Sequence, residues 1–305
     1  MHLKYVCTDV FTDIPFSGNQ LAVVLGGEKL SSSLMQSIAR EFNYSETTFL
    51  LKPHDLRANY RVRIFTPQRE IPFAGHPLVG TAYVAVWEEV IGVVEPKTTI
   101  LQETSIGILP VEIYFRNGRI EKVTITHGKP KLLGIVENTK NIARALGLPI
   151  DSLGINDLKP QVVSTGLKQL IVPAKNIDTI ERCSPNFSLV KKLENKLNIT
   201  GILLFTLEAK HSDCLVHARF FAPSVGVYED PATGSAAGCL GAYLVKHKAI
   251  DTSKQPVSFN IEQGIEINRP SKIYVEVEHL NTEPVTVKVG GNAVKIMEGR
   301  IVIED

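Results

Sequence analysis

Apolar residues recur along the chain with two different spacings, and each spacing predicts one kind of secondary structure. Short runs rich in β-branched and aromatic residues have the length and composition of β-strands. These runs occupy residues 60–65, 111–115, 123–126 and 273–277. Asn117 and Gly118, between the second and third runs, form a typical hairpin turn. Two longer segments, 79–90 and 234–247, are apolar on almost every side and therefore predict buried helices.

The same blocks occur in the same order in both halves of the chain, which predicts an ancient duplication. GHPLVGTA leads into the first apolar helix, and EDPATGSA leads into the second. Both contain Pro-x-x-Gly followed by Thr or Ser and then Ala, and this spacing aligns His76 with Asp230. Upstream, RVRIFTP at 61–67 matches HARFFAP at 217–223. We therefore expect an α+β fold of two similar halves, each a curved sheet around one central helix.

Each duplicated segment has the features of a helix start that binds an anion. A helix N-terminus exposes backbone N–H groups without partners and carries a partial positive charge. Gly75 leaves room for a ligand beside the backbone, with His76 as the cap and Pro77 at the first helical position. Gly234 and Ser235 repeat the arrangement in the second half. Two such starts in one cleft between the halves could share the charge of one carboxylate substrate.

The halves differ in side chains that could exchange protons. Glu46, in YSETTFL, has no acidic counterpart in the matching ITGILLF, and His76 is replaced by Asp230. Glu46 follows a predicted helix and opens an apolar strand, so we expect burial to raise its pKa and suit it to proton transfer. The alternatives are a solvent-facing strand glutamate and, at the helix starts, ordinary capped helices in which Asp230 and Thr233 serve only as caps.

The composition argues against several classes of partner. With 33 Lys and Arg against 32 Asp and Glu in 305 residues, no net charge favours nucleic acid or an anionic membrane. No apolar run reaches the roughly 18–20 residues that cross a bilayer. The N-terminus lacks the layout of a signal peptide, so we expect a cytoplasmic protein. The eight histidines are scattered, so we expect no metal site. Free thiols in the core are expected at Cys7, Cys183, Cys214 and Cys239, which have no CxxC spacing.

In several of its motifs the chain resembles the phenazine-biosynthesis PhzF-like family. The resemblance rests on NQLAVV, SETTF, RIFTPQREIPFAGHPLVGT, EDPATGSAAG and QGIEINRPS, in that order over nearly the whole chain. It implies the diaminopimelate epimerase-like fold, in which two similar domains each wrap a barrel-like sheet around a central helix. The active site would lie in the cleft between them. Because the last strands of that fold return to the first domain, the implied domains are 1–117 with 285–305, and 118–284.

The resemblance also implies a cofactor-free isomerase that forms a homodimer, and it gives each site residue a role. The founding activity of the family moves a proton from C3 to C1 of trans-2,3-dihydro-3-hydroxyanthranilate. The family's proton carrier corresponds to Glu46, and its other catalytic positions correspond to His76 and Asp230. The substrate-binding positions correspond to Asn19, Gly75, Gly234 and Ser235. Gln20, beside Asn19, departs from the family pattern, which more commonly has proline there.

Two other functions stay open. One is an epimerase or another proton-transfer enzyme on an amino-acid-like carboxylate, using Glu46 with Asp230. Relatives of this fold that racemise with two cysteines carry them at the helix starts, where this chain has none, and Cys239 lies farther along the second helix. The other is a non-catalytic protein that binds a small carboxylate. Turnover and proton exchange in heavy water distinguish these functions.

Overall fold

The computed structural model describes residues 1–303, and the chain divides into two compact units. Unit 1 comprises Met1–Thr126 and the C-terminal segment from Gly290, and unit 2 comprises His127–Val289. The family resemblance implies domain boundaries at 117–118 and 284–285. In the structure, the strands on either side of the Asn117 turn both belong to unit 1. Residues 304 and 305 of the predicted first domain lie outside the described residues.

Helices and strands are numbered here in chain order. The helices are α1 (Ser32–Phe42), α2 (Gly75–Trp87), α3 (Lys140–Leu146), α4 (Ile177–Glu181), α5 (Phe187–Leu197) and α6 (Gly234–Lys246). The first strands are β1 (His2–Val10), β2 (Asn19–Leu25), β3 (Glu46–Leu51), β4 (Tyr60–Phe65), β5 (Glu70–Ile71), β6 (Lys97–Thr104), β7 (Gly107–Arg116), β8 (Arg119–Thr126) and β9 (Lys131–Ile135). The remaining strands are β10 (Gln161–Ser164), β11 (Lys168–Pro173), β12 (Gly201–Thr206), β13 (Val216–Ala222), β14 (Val227–Asp230), β15 (Val257–Gln263), β16 (Ser271–Leu280), β17 (Glu283–Gly291) and β18 (Ala293–Val302).

The two units repeat one order of elements and one set of pairing directions. In unit 1, β1 pairs antiparallel with β2, β2 pairs parallel with β3, and β3 pairs antiparallel with β4. Strand β4 then pairs antiparallel with β5 and parallel with β6. In unit 2, β10 to β15 pair with the same directions in the same order. The duplication inferred from the sequence is therefore present in the topology.

The predicted central helices are buried on all sides. In α2 every residue from Gly75 to Ala85 is buried, and the helix ends at Trp87 rather than at the predicted residue 90. In α6 almost every residue up to Val245 is buried. By contrast, α1 and α5 bury only one face, because their apolar residues recur at helical spacing. No helix within residues 1–303 combines the length and the apolar character needed to span a membrane.

The helix starts correct one alignment made from the sequence. Helix α2 begins at Gly75, so Pro77 is its third residue and His76 lies inside the helix rather than capping it. Helix α6 begins at Gly234, and both helices have 13 residues. The structural counterpart of His76 is therefore Ser235, not Asp230. Asp230 lies at the end of β14, before the loop that leads into α6.

Candidate active site

Glu46 and His76 lie together in unit 1, one at the start of a strand and the other at the start of a helix. Glu46 is the first residue of β3, where it pairs with Leu21 of β2. His76 is the second residue of α2. Their side chains are 14% and 7% exposed, and Oε2 of Glu46 lies 3.4 Å from Nε2 of His76. Two side chains singled out from the sequence are thus in contact and nearly removed from solvent.

Burial keeps the imidazole of His76 neutral at ordinary pH. Loss of solvent lowers its pKa to about 3, and a hydrogen bond with the backbone of Gln20 opposes this shift only in part. Because that bond stabilises the protonated ring, a ring N–H donates to the Gln20 carbonyl. Nε2 makes no hydrogen bond within residues 1–303, and with a neutral ring its contact with Glu46 is not an ion pair. The ring can therefore accept a hydrogen bond from a protonated neighbour or a substrate.

Asn19 and Gln20 connect β2 to this pair. Asn19 is buried, and its Oδ1 accepts a hydrogen bond from Oγ of Ser45 at 2.9 Å. Since Ser45 directly precedes Glu46, the bond fixes the start of β3. The contact of Gln20 with His76 uses a backbone carbonyl, which the proline of the family pattern also has, so the departure at this position keeps the acceptor. The sequence did not predict this contact because every residue has a backbone carbonyl, so the residue type at position 20 does not indicate it.

Both central helices begin at a glycine without a side-chain cap. Ala74 precedes Gly75, Thr233 precedes Gly234, and neither side chain bonds to the helix amides in the part of the chain that the structure describes. Side-chain oxygens of Ser31, Asn176 and Asn186 cap α1, α4 and α5, whereas α3 also lacks a side-chain cap. The side chain of Thr233 therefore does not cap α6 as the alternative expected. Each central helix instead presents backbone N–H donors that suit an anion.

Asp230 and Gln263 shape the loop before α6. Oδ2 of Asp230 accepts a hydrogen bond from Oγ1 of Thr233 at 2.5 Å. Nε2 of Gln263 donates to the Asp230 carbonyl at 2.7 Å, and its Oε1 accepts from the N–H of Thr233 at 3.2 Å. Gln263 was not among the predicted site residues. It lies in QGIEINRPS, one of the motifs that carried the resemblance, but only the fold brings it beside Asp230.

Ser235, the second residue of α6, has a hydrogen-bond partner that the sequence did not indicate. Its Oγ accepts a hydrogen bond from Nε2 of Gln169 at 3.4 Å, and Gln169 is fully buried in β11. The hydroxyl is thereby held at the helix start, next to the amide of Gly234. This position suits a side chain that adds a hydrogen bond to a group bound at the helix amides.

All four cysteines are free thiols, as expected, and they are poor acids. Burial raises the pKa of Cys7 to about 11 and those of Cys183 and Cys239 to about 12. Sγ of Cys239 points to the Val163 carbonyl at 3.4 Å, inside unit 2. Cys214 is only partly buried, so the expectation of a core position is wrong for this residue. None of these thiols has the lowered pKa of a reactive cysteine.

Each unit thus contains a helix start without a side-chain cap and one carboxyl group. Unit 1 also contains the neutral imidazole of His76, and unit 2 contains the hydroxyl groups of Thr233 and Ser235. Groups of these kinds can bind a carboxylate and exchange protons by general acid/base catalysis. Among residues 1–303, no group of three or more His, Cys, Asp and Glu side chains has an arrangement that could hold a metal ion.

Comparisons with known proteins agree over nearly the whole chain. The sequence profile of the phenazine biosynthesis-like protein family matches residues 8–299. An uncharacterized isomerase of Clostridium acetobutylicum is 35% identical over 297 residues, which cover 97% of this chain and 96% of the other. The trans-2,3-dihydro-3-hydroxyanthranilate isomerase of Pseudomonas aeruginosa is 33% identical over 300 residues, covering 98% and 99%. The crystal structure of a Bacillus anthracis phenazine biosynthesis protein of the PhzF family has a TM-score of 0.89 at 30% identity, covering 99% and 100%. These findings confirm the predicted resemblance and fold class.

Proposed function

The chain belongs to the phenazine biosynthesis-like family and is an isomerase, and from this premise we propose that it moves a proton between two carbons of a small cyclic carboxylate, with Glu46 as the proton carrier. The observation that carries the proposal is the contact of 3.4 Å between the Glu46 carboxyl and the neutral imidazole of His76, beside the uncapped start of α2. No cofactor takes part in the proposed reaction.

A single carboxyl group in reach of both carbons can carry the proton between them. Glu46 begins as a carboxylate, removes the proton from one carbon, and passes through the neutral acid before it protonates the other carbon. Only 14% of its side chain is exposed, which limits exchange with bulk water during the transfer. Nε2 of His76 can accept a hydrogen bond from protonated Glu46 or from a polar group of the substrate. The proposal therefore assigns proton transfer to Glu46. His76 orients the carboxyl group of Glu46.

The substrate carboxylate is proposed to bind the backbone amides at Gly75 and Gly234. Support comes from the absence of side-chain caps at both helix starts within the described residues. Ser235 adds a hydroxyl donor at the second start. Asp230 holds a polar substituent of the substrate and sets its protonation, and Asn19 is proposed as a further polar contact.

The substrate class is proposed to be that of trans-2,3-dihydro-3-hydroxyanthranilate. A relative that is 33% identical over 300 residues carries the name of the isomerase of this compound. The compound combines a carboxylate, which suits the helix starts, with two ring carbons between which one carboxyl group can move a proton. An epimerase that uses two thiols gains no support, because burial raises the pKa of Cys239 to about 12.

Turnover of trans-2,3-dihydro-3-hydroxyanthranilate by wild type, Glu46→Gln and Glu41→Gln tests the proposal. Glutamine keeps the shape of Glu46 but cannot carry a proton, so kcat should fall about 10²–10⁴-fold. Glu41, an exposed glutamate of α1, is the matched control and should leave kcat unchanged. Wild-type protein that binds the compound without turnover would indicate a carboxylate binder. Turnover by folded Glu46→Gln at the wild-type rate would overturn the assignment of Glu46.

A further inference from the structure

Unit 1 contains a pocket that is separate from the residues assigned to proton transfer. It lies beside β4, along the stretch between the residues that pair with β6 and those that pair with β5. The pocket has a volume of about 220 Å³ and is open to solvent. Its polar lining includes His54, Arg61, Arg63, Glu70, Glu103 and Ser105.

Three other charged groups in this pocket have partners of their own. Arg63 makes a two-pronged ion pair with Glu70, through Nε and Nη2 at 2.7 Å each. Oε2 of Glu103 accepts the backbone N–H groups of His54 and Asp55 at 2.6 and 3.0 Å, and its Oε1 lies 3.4 Å from Nδ1 of His54. The charges of Arg63 and Glu70 therefore cancel, and Oε2 of Glu103 has two backbone donors.

Arg61 differs from these groups because its charge is not compensated. Its Nη1 lies 3.2 Å from Nδ1 of His54, the one polar partner of its guanidinium within residues 1–303. Its Nε is buried and makes no hydrogen bond within the same residues. Among them, no carboxylate forms an ion pair with it either. A buried donor of a charged group without an acceptor is unfavourable, and a ligand that supplies an acceptor relieves this.

In unit 2 the position equivalent to Arg61 is occupied by His217, which has carboxylate partners. Strands β4 and β6 pair Arg61 with Glu103, and the matching strands β13 and β15 pair His217 with Glu262. His217 is fully buried, and both of its ring nitrogens have carboxylate partners. Nδ1 meets Oε1 of Glu262, and Nε2 meets Oε1 of Glu266, both at 2.7 Å. The cation in unit 2 therefore has two carboxylate partners, whereas Arg61 has none.

The second carboxylate comes from a connection that unit 1 lacks. Glu266 lies on a 3₁₀ turn, Ile265–Ile267, in the connection 264–270 between β15 and β16. In unit 1 the corresponding strands β6 and β7 are joined only by Ser105 and Ile106. Ser105 lines the pocket, so the pocket borders the place where unit 2 has its longer connection.

We propose that this pocket binds a small carboxylate ligand. The carboxylate of the ligand would pair with Arg61 as the carboxylate of Glu266 pairs with His217. The guanidinium group offers its donors in a planar fork that matches the two oxygens of a carboxylate. The carboxylate of the ligand supplies the acceptor that the buried Nε of Arg61 lacks. The site uses none of the residues assigned to the isomerisation, so it is a second binding site in unit 1.

Calorimetric titration with sodium benzoate tests the site, with benzamide as the uncharged probe. Wild type should bind benzoate and not benzamide, and Arg61→Gln should weaken benzoate binding at least about 10-fold. Arg116→Gln is the matched control, because Arg116 is an exposed arginine of unit 1 that pairs with Glu121 outside the pocket. Equal benzoate affinity in wild type and folded Arg61→Gln would overturn the proposal and assign any binding to the helix starts.

A second pair of variants tests the site without removing the arginine. Ser105→Glu places a carboxylate in the short connection of unit 1 and should both weaken benzoate binding as much as Arg61→Gln does and raise Tm relative to Ser105→Gln. Ser105→Gln has the same size without the charge and should bind benzoate like the wild type. If Ser105→Glu binds benzoate as tightly as Ser105→Gln does, Arg61 does not form the binding site.

Discussion

In unit 1 the acid group of the candidate site is the first residue of a strand, whereas in unit 2 it is the last residue of a strand. The antiparallel pairs of the two units align them residue by residue. Phe65 of β4 pairs with Thr47 of β3, and the matching Phe221 of β13 pairs with Ile202 of β12. Glu46, one residue before Thr47, therefore matches Gly201, which is buried. The position that carries the carboxyl group in unit 1 carries a glycine in unit 2.

The reverse holds at the other acid. Ile64 of β4 pairs with Ile71 of β5, and the matching Phe220 of β13 pairs with Asp230 of β14. Each unit thus has one carboxyl group where the other has an apolar residue or glycine. After the duplication, the scaffold stayed the same while single positions on its strands gained or lost an ionisable group. We infer that the two acids have different roles rather than duplicate ones.

The second residues of the two central helices also differ in their chemistry. His76 contacts the backbone of Gln20 in β2, and Ser235 contacts the side chain of Gln169 in the matching strand β11. The strand supports the helix start in both units, but it supports an imidazole in one and a hydroxyl group in the other. A neutral imidazole can accept a hydrogen bond from an acid, whereas the hydroxyl group suits binding.

The comparison predicts that Asp230→Asn lowers turnover without unfolding the protein. Asparagine keeps an oxygen that accepts from Thr233, so Tm should change little, but the negative charge is lost. We expect kcat to fall about 100-fold, at the low end of the range for an acid/base group. Asp157→Asn, at an exposed aspartate of unit 2, is the control. Wild-type kcat and KM in Asp230→Asn would leave unit 2 without a role in the chemistry.

The two helix starts should contribute alike to substrate binding. Proline at the first helical position fits the helix but removes one backbone donor. Gly75→Pro and Gly234→Pro should each raise KM about 10-fold or more. Ser32→Pro, at the first residue of the side-chain-capped α1, is the matched control. Steady-state kinetics that show an unchanged KM for both glycine variants would mean that the substrate carboxylate binds elsewhere.

The buried histidines of the two units should affect stability at opposite ends of the pH range. Burial lowers the pKa of His76 from 6.5 to about 3, so the unfolded chain binds that proton first and stability falls as the pH drops from 6.5 towards 3. For His217 burial opposes protonation, but hydrogen bonds to Glu262 and Glu266 outweigh it and raise the pKa to about 9. Its contribution is complete below pH 6.5 and is lost as the pH rises through 9.

Urea unfolding of wild type, His76→Gln and His217→Gln between pH 3 and pH 10 checks these signs. Each histidine should change the free energy of unfolding by up to about 1.4 kcal/mol per pH unit in its own range. His76→Gln should flatten the acid side of the profile, and His217→Gln should flatten the alkaline side. Profiles parallel to that of the wild type would contradict the assigned charge states.

Much of the fold could be predicted from the sequence, because apolar spacing reports burial directly. The all-round apolar segments gave the two central helices, and the repeated blocks gave the duplication. The alignment of His76 with Asp230 was wrong because Pro-x-x-Gly occurs twice in unit 1, ending at Gly75 and again at Gly80. Only the observed helix starts decide which glycine matches Gly234. Gly80 is needed for packing instead, since a Cβ there would lie 2.6 Å from Leu21.

The partners of the site residues could not be predicted from the sequence. Gln263 reaches Asp230 across 33 positions, and Gln169 reaches Ser235 across 66. Such contacts depend on which strands lie beside which helix, and no local spacing encodes them. Residue type indicated Glu46 as a candidate, but its contact with His76 follows from the placement of β3 beside the start of α2.

Proton exchange in heavy water tests most directly the central claim that Glu46 carries the proton. Wild type acting on trans-2,3-dihydro-3-hydroxyanthranilate should place deuterium at the product carbon that receives the proton, to the extent that Glu46 exchanges with solvent during the cycle. Folded Glu46→Gln should bind the compound and incorporate about 10²–10⁴-fold less deuterium per unit time, as followed by NMR. Incorporation by Glu46→Gln at the wild-type rate would contradict the account and make Asp230 the next group to examine.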